Sequence, residues 1–157
     1  MTPRINYNKV SPAALQAAMG VERFVRNSSL ERPLVELVKL RCSYLNGCAY
    51  CVDMHTKDAR AAGESEQRLY AVPVWEETPF FTPRERAALE WAEYLTLMSS
   101  RGVPQHVFDS VREHFSEAEM VELTMAVNAI NLWNRLAVGL GADVGSYQPA
   151  VEKAAAD

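Results

Sequence analysis

The sequence predicts an all-α protein, a bundle of about seven helices. Three observations carry that prediction. Helix-opening signals recur along the whole chain, as serine or threonine followed by proline or by glutamate three residues on. The apolar residues between those signals repeat at three- and four-residue spacing. No run alternates convincingly at period two, as a half-buried strand would.

The elements follow in order. Ser11-Pro12 reads as an N-cap with proline at the first helical position, opening a helix to about Arg26. A second helix is predicted from about Glu31 to Leu45, with Leu34, Leu37, Val38, Leu40 and Arg41 on its repeat. Asn46-Gly47 stops it, because both residues tolerate the left-handed backbone of a helix end. The third helix starts near Cys48 and ends at Gly63, and Ser65 caps a shorter one through about Ala71, ahead of Pro73. Thr82-Pro83-Arg84-Glu85 is a capping box that launches Arg86–Ser99. Pro104 opens a helix to about Phe115, and Ser116-Glu117-Ala118-Glu119 is a second capping box. The last helix, to about Val138, is apolar nearly all round, which predicts a place at the centre of the bundle or in a subunit interface.

Composition narrows the function classes. A chain of 157 residues suits one domain, taken here as residues 1–157, and 23% charged residues is ordinary for a globular protein. A net charge of −4 leaves no basic excess to neutralise phosphates, so neither nucleic acid nor an anionic membrane is the expected partner. The longest charge-free stretches, Val10–Val21 and Leu123–Asn134, have twelve residues each. A span needs roughly 20. Met1-Thr2-Pro3-Arg4-Ile5-Asn6 carries no apolar leader, so a cytoplasmic location is expected. Three cysteines in a reducing compartment point to thiol chemistry, metal binding or plain burial.

The chemistry concentrates in Cys48-Ala49-Tyr50-Cys51-Val52-Asp53-Met54-His55. On a helix, Cys48, Cys51 and His55 share one stripe. Just after a turn, the unpaired N–H groups and the helix dipole favour a thiolate. Glu36 joins them if the second and third helices form an antiparallel hairpin around Asn46-Gly47. At ~1.5 Å per residue the heights of Glu36 and His55 then differ by roughly 3 Å. A carboxylate beside a histidine fixes the ring's orientation and the placement of its proton. Two plainer readings stay open here: simple burial of the cysteines, or zinc held by Cys42, Cys48, Cys51 and His55. Against zinc, Cys42 sits mid-helix before the turn, and no second Cys-x-x-Cys or His-x-x-x-His completes a cage.

Glu36 followed by Cys48-x-x-Cys51-x-x-x-His55 resembles the signature of the alkylhydroperoxidase D (AhpD-like) family, within the carboxymuconolactone decarboxylase superfamily. The resemblance runs from roughly Ile5 to Val138. It takes in Asn46-Gly47-Cys48, Gly63-Glu64-x-Glu66-Gln67-Arg68-Leu69, Trp75-x-x-Thr78-Pro79-Phe80-Phe81-Thr82, Glu85-Arg86-Ala87-Ala88-Leu89 and Ile130-Asn131-x-Trp133-Asn134-Arg135-Leu136. One position departs: the best-known peroxidase members carry a second histidine just before the second cysteine, where this chain has Tyr50.

The resemblance implies an AhpD-like helical bundle with the Cys-x-x-Cys at the N-terminus of the third helix. It implies that Cys51 is the peroxidatic thiol and Cys48 the resolving one, with His55 and Glu36 as a proton relay through a bridging water. Tyr50, Asn131 and Trp133 would line the site. No metal, haem or flavin is implied. The implied partners are a hydroperoxide substrate, a dithiol reductant such as a lipoylated or thioredoxin-like protein, and further copies of the chain in a trimer or hexamer. Two rival functions share the frame. One is a carboxymuconolactone decarboxylase-like enzyme, whose better-known members lack the cysteine pair. The other is a non-catalytic redox sensor or binding module switched by a Cys48–Cys51 bond.

Cys42 has no partner at redox spacing and reads as a packed helix residue, and His106 and His114 read as surface or core residues. Gly139-Leu140-Gly141-Ala142-Asp143-Val144-Gly145 is not a dinucleotide fingerprint, because its third glycine is misplaced and no strand precedes it. Asn128, Asn131 and Asn134 need hydrogen-bond partners wherever the last helix buries them.

Overall fold

A computed structural model describes residues 4–149. The ends of the expected single domain, and the first residues read for a leader, lie outside the described residues. Within them the chain is all helical, with no strand. In order the elements are α1 (Tyr7–Val10), α2 (Pro12–Arg26), α3 (Arg32–Leu45), α4 (Ala49–Ala61) and α5 (Glu66–Ala71). After a 3-10 segment (Val72–Glu77) come α6 (Pro83–Thr96), α7 (Met98–Arg101), α8 (Gln105–Arg112) and α9 (Glu117–Leu140).

The seven helices read from the sequence are α2 to α6, α8 and α9. The structure adds α1, α7 and the 3-10 segment, so the cysteine-bearing helix is fourth rather than third. α1 and α7 are single turns and the 3-10 segment is two turns kinked at Val74, all too short to show a periodic pattern. α1 exists because Asn6 Oδ1 accepts the Lys9 N–H and because the Arg4 and Ile5 N–H groups donate to the Leu140 carbonyl, at 2.9 and 3.1 Å. α7 arises where Leu97 interrupts the helix expected to run to Ser99, and Gly102, at φ 65°, ends it.

The start signals act unevenly. Ser65, Thr82 and Ser116 each accept an N–H three residues on, and both capping boxes form. Ser11 occupies its N-cap position without a side-chain bond, so Pro12 alone sets that start. Pro104 is itself an N-cap rather than the first helical residue. Gly47, at φ 63°, makes the left-handed turn between α3 and α4, whereas Asn46 stays right-handed and its side chain is freed for other work.

α9 runs through the centre, packed against α2, α3, α4 and α6. Leu123, Ala126, Val127 and Ile130 are buried, while Val121 and Val138 face outward. α3 is buried on two sides. One side, with Leu34, Val38 and Cys42, joins the core of α2, α6, α8 and α9. The other, with Leu37 and Leu40, packs on Leu69, Val72, Trp75, Phe81 and Leu89.

That double burial takes polar residues with it. Arg41 donates to Glu93 and to the Pro73 carbonyl, and Glu93 also accepts from Arg101. Burial alone would raise the Glu93 carboxyl, but the two guanidinium groups hold it below the ordinary carboxylate range. Glu93→Gln leaves the Arg41 charge buried without its counter-ion. The expected cost is about 3 kcal/mol, read as a lower urea midpoint at unchanged slope. A loss under about 1 kcal/mol would show that the Arg41–Glu93 pair behaves as a surface ion pair.

Candidate active site

The hairpin of α3 and α4 assembles the site. The Cys48 N–H donates to the Ser43 carbonyl at 2.9 Å, which fixes the turn and sets Cys48 at the N-cap of α4. A cysteine there does what serine usually does: its sulfur accepts the Cys51 N–H, at 3.4 Å. Both sulfurs are reduced and each residue is only 1% exposed, so the pair is covered rather than presented on the surface.

Electrostatics split the pair. The Cys48 thiol is lowered to about 7, first by the hydrogen bond from Cys51, against burial, and then by N–H groups at the start of α4 and by Asn134. The Cys51 thiol is raised, first by that same bond and then by burial. Ionisation of the pair therefore begins at Cys48, and Cys51 keeps its proton. The sulfur that ionises first is not the one that carries the attack in the resemblance.

His55 follows Cys51 by one turn of α4 and is 4% exposed. Its Nδ1 lies 2.7 Å from Glu36 Oε2 on α3, so the two side chains meet across the hairpin. Burial alone would raise the Glu36 carboxyl, but the His55 hydrogen bond and charge, then Lys39 and Arg32, hold it below the ordinary range. Its stabilising contribution is complete above the ordinary carboxylate range and is lost as the pH falls through the lowered value. A carboxylate can only accept, so Nδ1 carries a hydrogen toward Glu36, and the neutral form with that tautomer has its lone pair on Nε2. That Nε2 is buried with no protein partner among the described residues.

The three expected lining residues divide. Tyr50 is half-buried and packs on the core cluster that contains both cysteines. Asn131 instead bonds between helices: its Nδ2 donates to Thr96 Oγ1 and the Val127 carbonyl, and its Oδ1 accepts from Asn46 at 3.0 Å. Trp133 Nε1 points to Glu22 Oε2 on α2, at 3.2 Å. Cys42 packs as expected, with Thr96 Oγ1 donating to its sulfur, and burial pushes its thiol up to about 12. Among the described residues, no three His, Cys, Asp or Glu side chains are grouped to hold a metal ion.

Other residues reach the site without having been singled out for it. Asn134, 1% exposed on α9, donates to Ser43 Oγ, accepts from Asn46, and lowers both thiols by hydrogen bonding. The sequence signal was its place in an apolar helix, which marks it for partners but does not say which. Tyr7 of α1 is the one half-buried residue between Arg4 and Val10. Burial raises its phenol first, followed by the nearby Tyr50, Cys51 and Cys48. From the other end of the chain, Tyr147 donates to Asp58 Oδ1 at 2.7 Å, and its carbonyl accepts from Lys57. Both terminal segments thus fold back over α4, an arrangement that no local pattern encodes.

With fold and site in place, known proteins can be compared. The profile of the carboxymuconolactone decarboxylase family matches residues 12–94, from the start of α2 nearly to the end of α6. The uncharacterized protein YdfG of Bacillus subtilis is 43% identical over 141 residues, which is 90% of this chain and 96% of that protein. An Agrobacterium tumefaciens protein of unknown function, named by its crystallographers for the antioxidant defence protein AhpD, superposes with a TM-score of 0.87. It is 46% identical, over 95% of this chain and 99% of its own. An uncharacterized peroxidase-related protein from Silicibacter sp. TM1040 shares the fold at a TM-score of 0.78 and 20% identity, over 93% of this chain and 78% of its own. No helix among the described residues is long and apolar enough to cross a membrane. The chain belongs to the carboxymuconolactone decarboxylase family, and within it to the AhpD-like proteins.

Proposed function

We propose that the protein is a thiol peroxidase that reduces hydroperoxides and cycles through a Cys48–Cys51 disulfide. The observation that carries this reading is the alignment of a poised cysteine pair with a buried histidine whose Nε2 is unpartnered and whose Nδ1 is gripped by Glu36.

In the cycle, the Cys51 sulfur attacks the distal oxygen of R–O–O–H, and the O–O bond breaks. The Cys51 proton passes to His55 Nε2 and then to the departing alkoxide, leaving R–OH and a sulfenic acid on Cys51. The Cys48 thiolate attacks that sulfur, the S–O bond breaks, and hydroxide leaves as water after taking a proton. The product is the Cys48–Cys51 disulfide. An external dithiol, as on a lipoylated or thioredoxin-like protein, reduces it by two exchange steps and is itself oxidised. Cytoplasmic operation as a homo-oligomer belongs to the same proposal.

Wild-type protein supplied with an alkyl hydroperoxide and a set of dithiol donors should consume many equivalents of peroxide. Consumption of one equivalent and no more would support a redox sensor instead. Stoichiometric zinc found by elemental analysis would overturn both readings.

A further inference from the structure

Asn134 is a buried amide that reaches the cysteine turn from a different helix. It is 1% exposed on α9, and Ile130 and Ala137, one turn to either side, belong to the apolar core that also holds Cys48 and Cys51. Its Oδ1 accepts from Asn46 Nδ2 at 2.8 Å, and its Nδ2 donates to Ser43 Oγ at 3.1 Å. Both partners belong to the turn. The Ser43 carbonyl accepts the Cys48 N–H at 2.9 Å, and Asn46 precedes Cys48 by two residues. Asn134 therefore grips the segment that aims the Cys48 sulfur at the Cys51 N–H, with nitrogen to sulfur at 3.4 Å. Its hydrogen bonding also lowers both thiols. Asn131, one turn earlier on α9, bonds Asn46 too, but its Nδ2 goes to Thr96 Oγ1 and the Val127 carbonyl.

We infer that Asn134 is a positioning residue for the cysteine pair, acting through Ser43 and Asn46. It holds the turn so that the Cys48 sulfur caps α4, which favours the dithiol over the disulfide. A disulfide requires that sulfur at about 2.05 Å from the Cys51 sulfur. Bonded there it is neutral and a weak acceptor, so the Cys51 N–H loses much of its cap. Bonds between helices that serve stability alone are the same in both redox states and cancel in their equilibrium. A bond that holds the reduced turn does not cancel. Asn131 is the matched comparison, on the same helix and with the same Asn46 partner.

This inference rests on the proposed cycling of Cys48 and Cys51, but its test uses no peroxide. The full chain is equilibrated in glutathione buffers of graded ratio. The disulfide takes two electrons and two protons from two glutathione thiols, which leave as glutathione disulfide. Alkylation and peptide mass spectrometry read the fraction of Cys48–Cys51 disulfide. Asn134→Leu should shift the equilibrium about tenfold toward the disulfide, which is about 30 mV for this two-electron couple. Asn131→Leu should stay within about twofold of wild type. No shift in Asn134→Leu, a shift toward the dithiol, or an equal shift in both variants overturns the inference. If Asn134→Leu does not fold, Ser43→Ala decides alone: it removes one grip of Asn134 and keeps the carbonyl that accepts the Cys48 N–H. A shift of about threefold toward the disulfide then supports the assignment, and an absent or opposite shift refutes it. A wild type that forms no Cys48–Cys51 disulfide at any ratio would overturn both this inference and the proposed function. The expected shifts in a protein that turns over no peroxide would sink the proposed function and leave the role of Asn134 standing. Sustained turnover with unmoved equilibria would do the reverse.

Discussion

Cys51→Ser is expected to abolish repeated peroxide consumption, and Cys48→Ser to leave a single equivalent. The asymmetry follows from the two positions on α4. Cys51 precedes His55 by one helical turn, and in the proposed cycle that ring serves its sulfur as base and acid. A serine there is far too weakly nucleophilic to attack an O–O bond at neutral pH. Cys48 is the N-cap, where serine is among the best residues, so Cys48→Ser keeps the Cys51 N–H capped and α4 intact. What it removes is the sulfur that closes the disulfide. The oxidised Cys51 then stays a sulfenic acid or passes up the oxidation ladder. Peroxide consumption, with mass spectrometry of the product, reads both outcomes. Sustained turnover in Cys51→Ser would reassign the attacking sulfur to Cys48, the one that ionises first.

His55→Gln is expected to slow peroxide reduction by about 10²–10⁴, and raising the pH to about 9 should not restore it. A magnitude decides why. Relative to an ordinary thiol near 8.5, a pKa of about 7 raises the thiolate fraction at neutral pH by roughly 16-fold. A Brønsted β of roughly 0.45 takes back about five-fold in nucleophilicity, leaving a gain of about three-fold. Thiolate supply is too small an effect to make a peroxidase. Moreover, Cys48 ionises before Cys51, whose proton the Cys48 bond and then burial hold in place. The larger effect must come from moving that proton to the leaving alkoxide. Gln can keep a hydrogen bond to Glu36 but cannot carry a proton. Full recovery of the rate at high pH would refute this division of labour.

Much of this was legible in the chain. The Glu36 and His55 heights followed from counting residues back and forward from Asn46-Gly47, and the 2.7 Å contact lies within that estimate. Cys48 and Cys51 could be placed on one helical turn because helix geometry is local. The division among the asparagines was not legible. Asn131 and Asn134 lie three residues apart on the same helix, so spacing treats them alike. Which one turns toward the sulfurs depends on the rotation of α9 against the α3–α4 turn. Trp133 is the same case: its ring reaches Glu22 because α2 packs beside α9.

The sequence by itself determined the helices, their capped starts, and the stripe that unites Cys48, Cys51 and His55, since each depends on contacts within a few residues. Tertiary structure completed the choice of which sulfur ionises first. To the local bond between the two sulfurs it adds an amide from α9 and burial of the pair. It also placed Lys39, which the sequence shows only as one basic residue on a helix, beside Glu22 from α2. Charge states in a low-dielectric interior are set by distances between elements, and no local pattern records them.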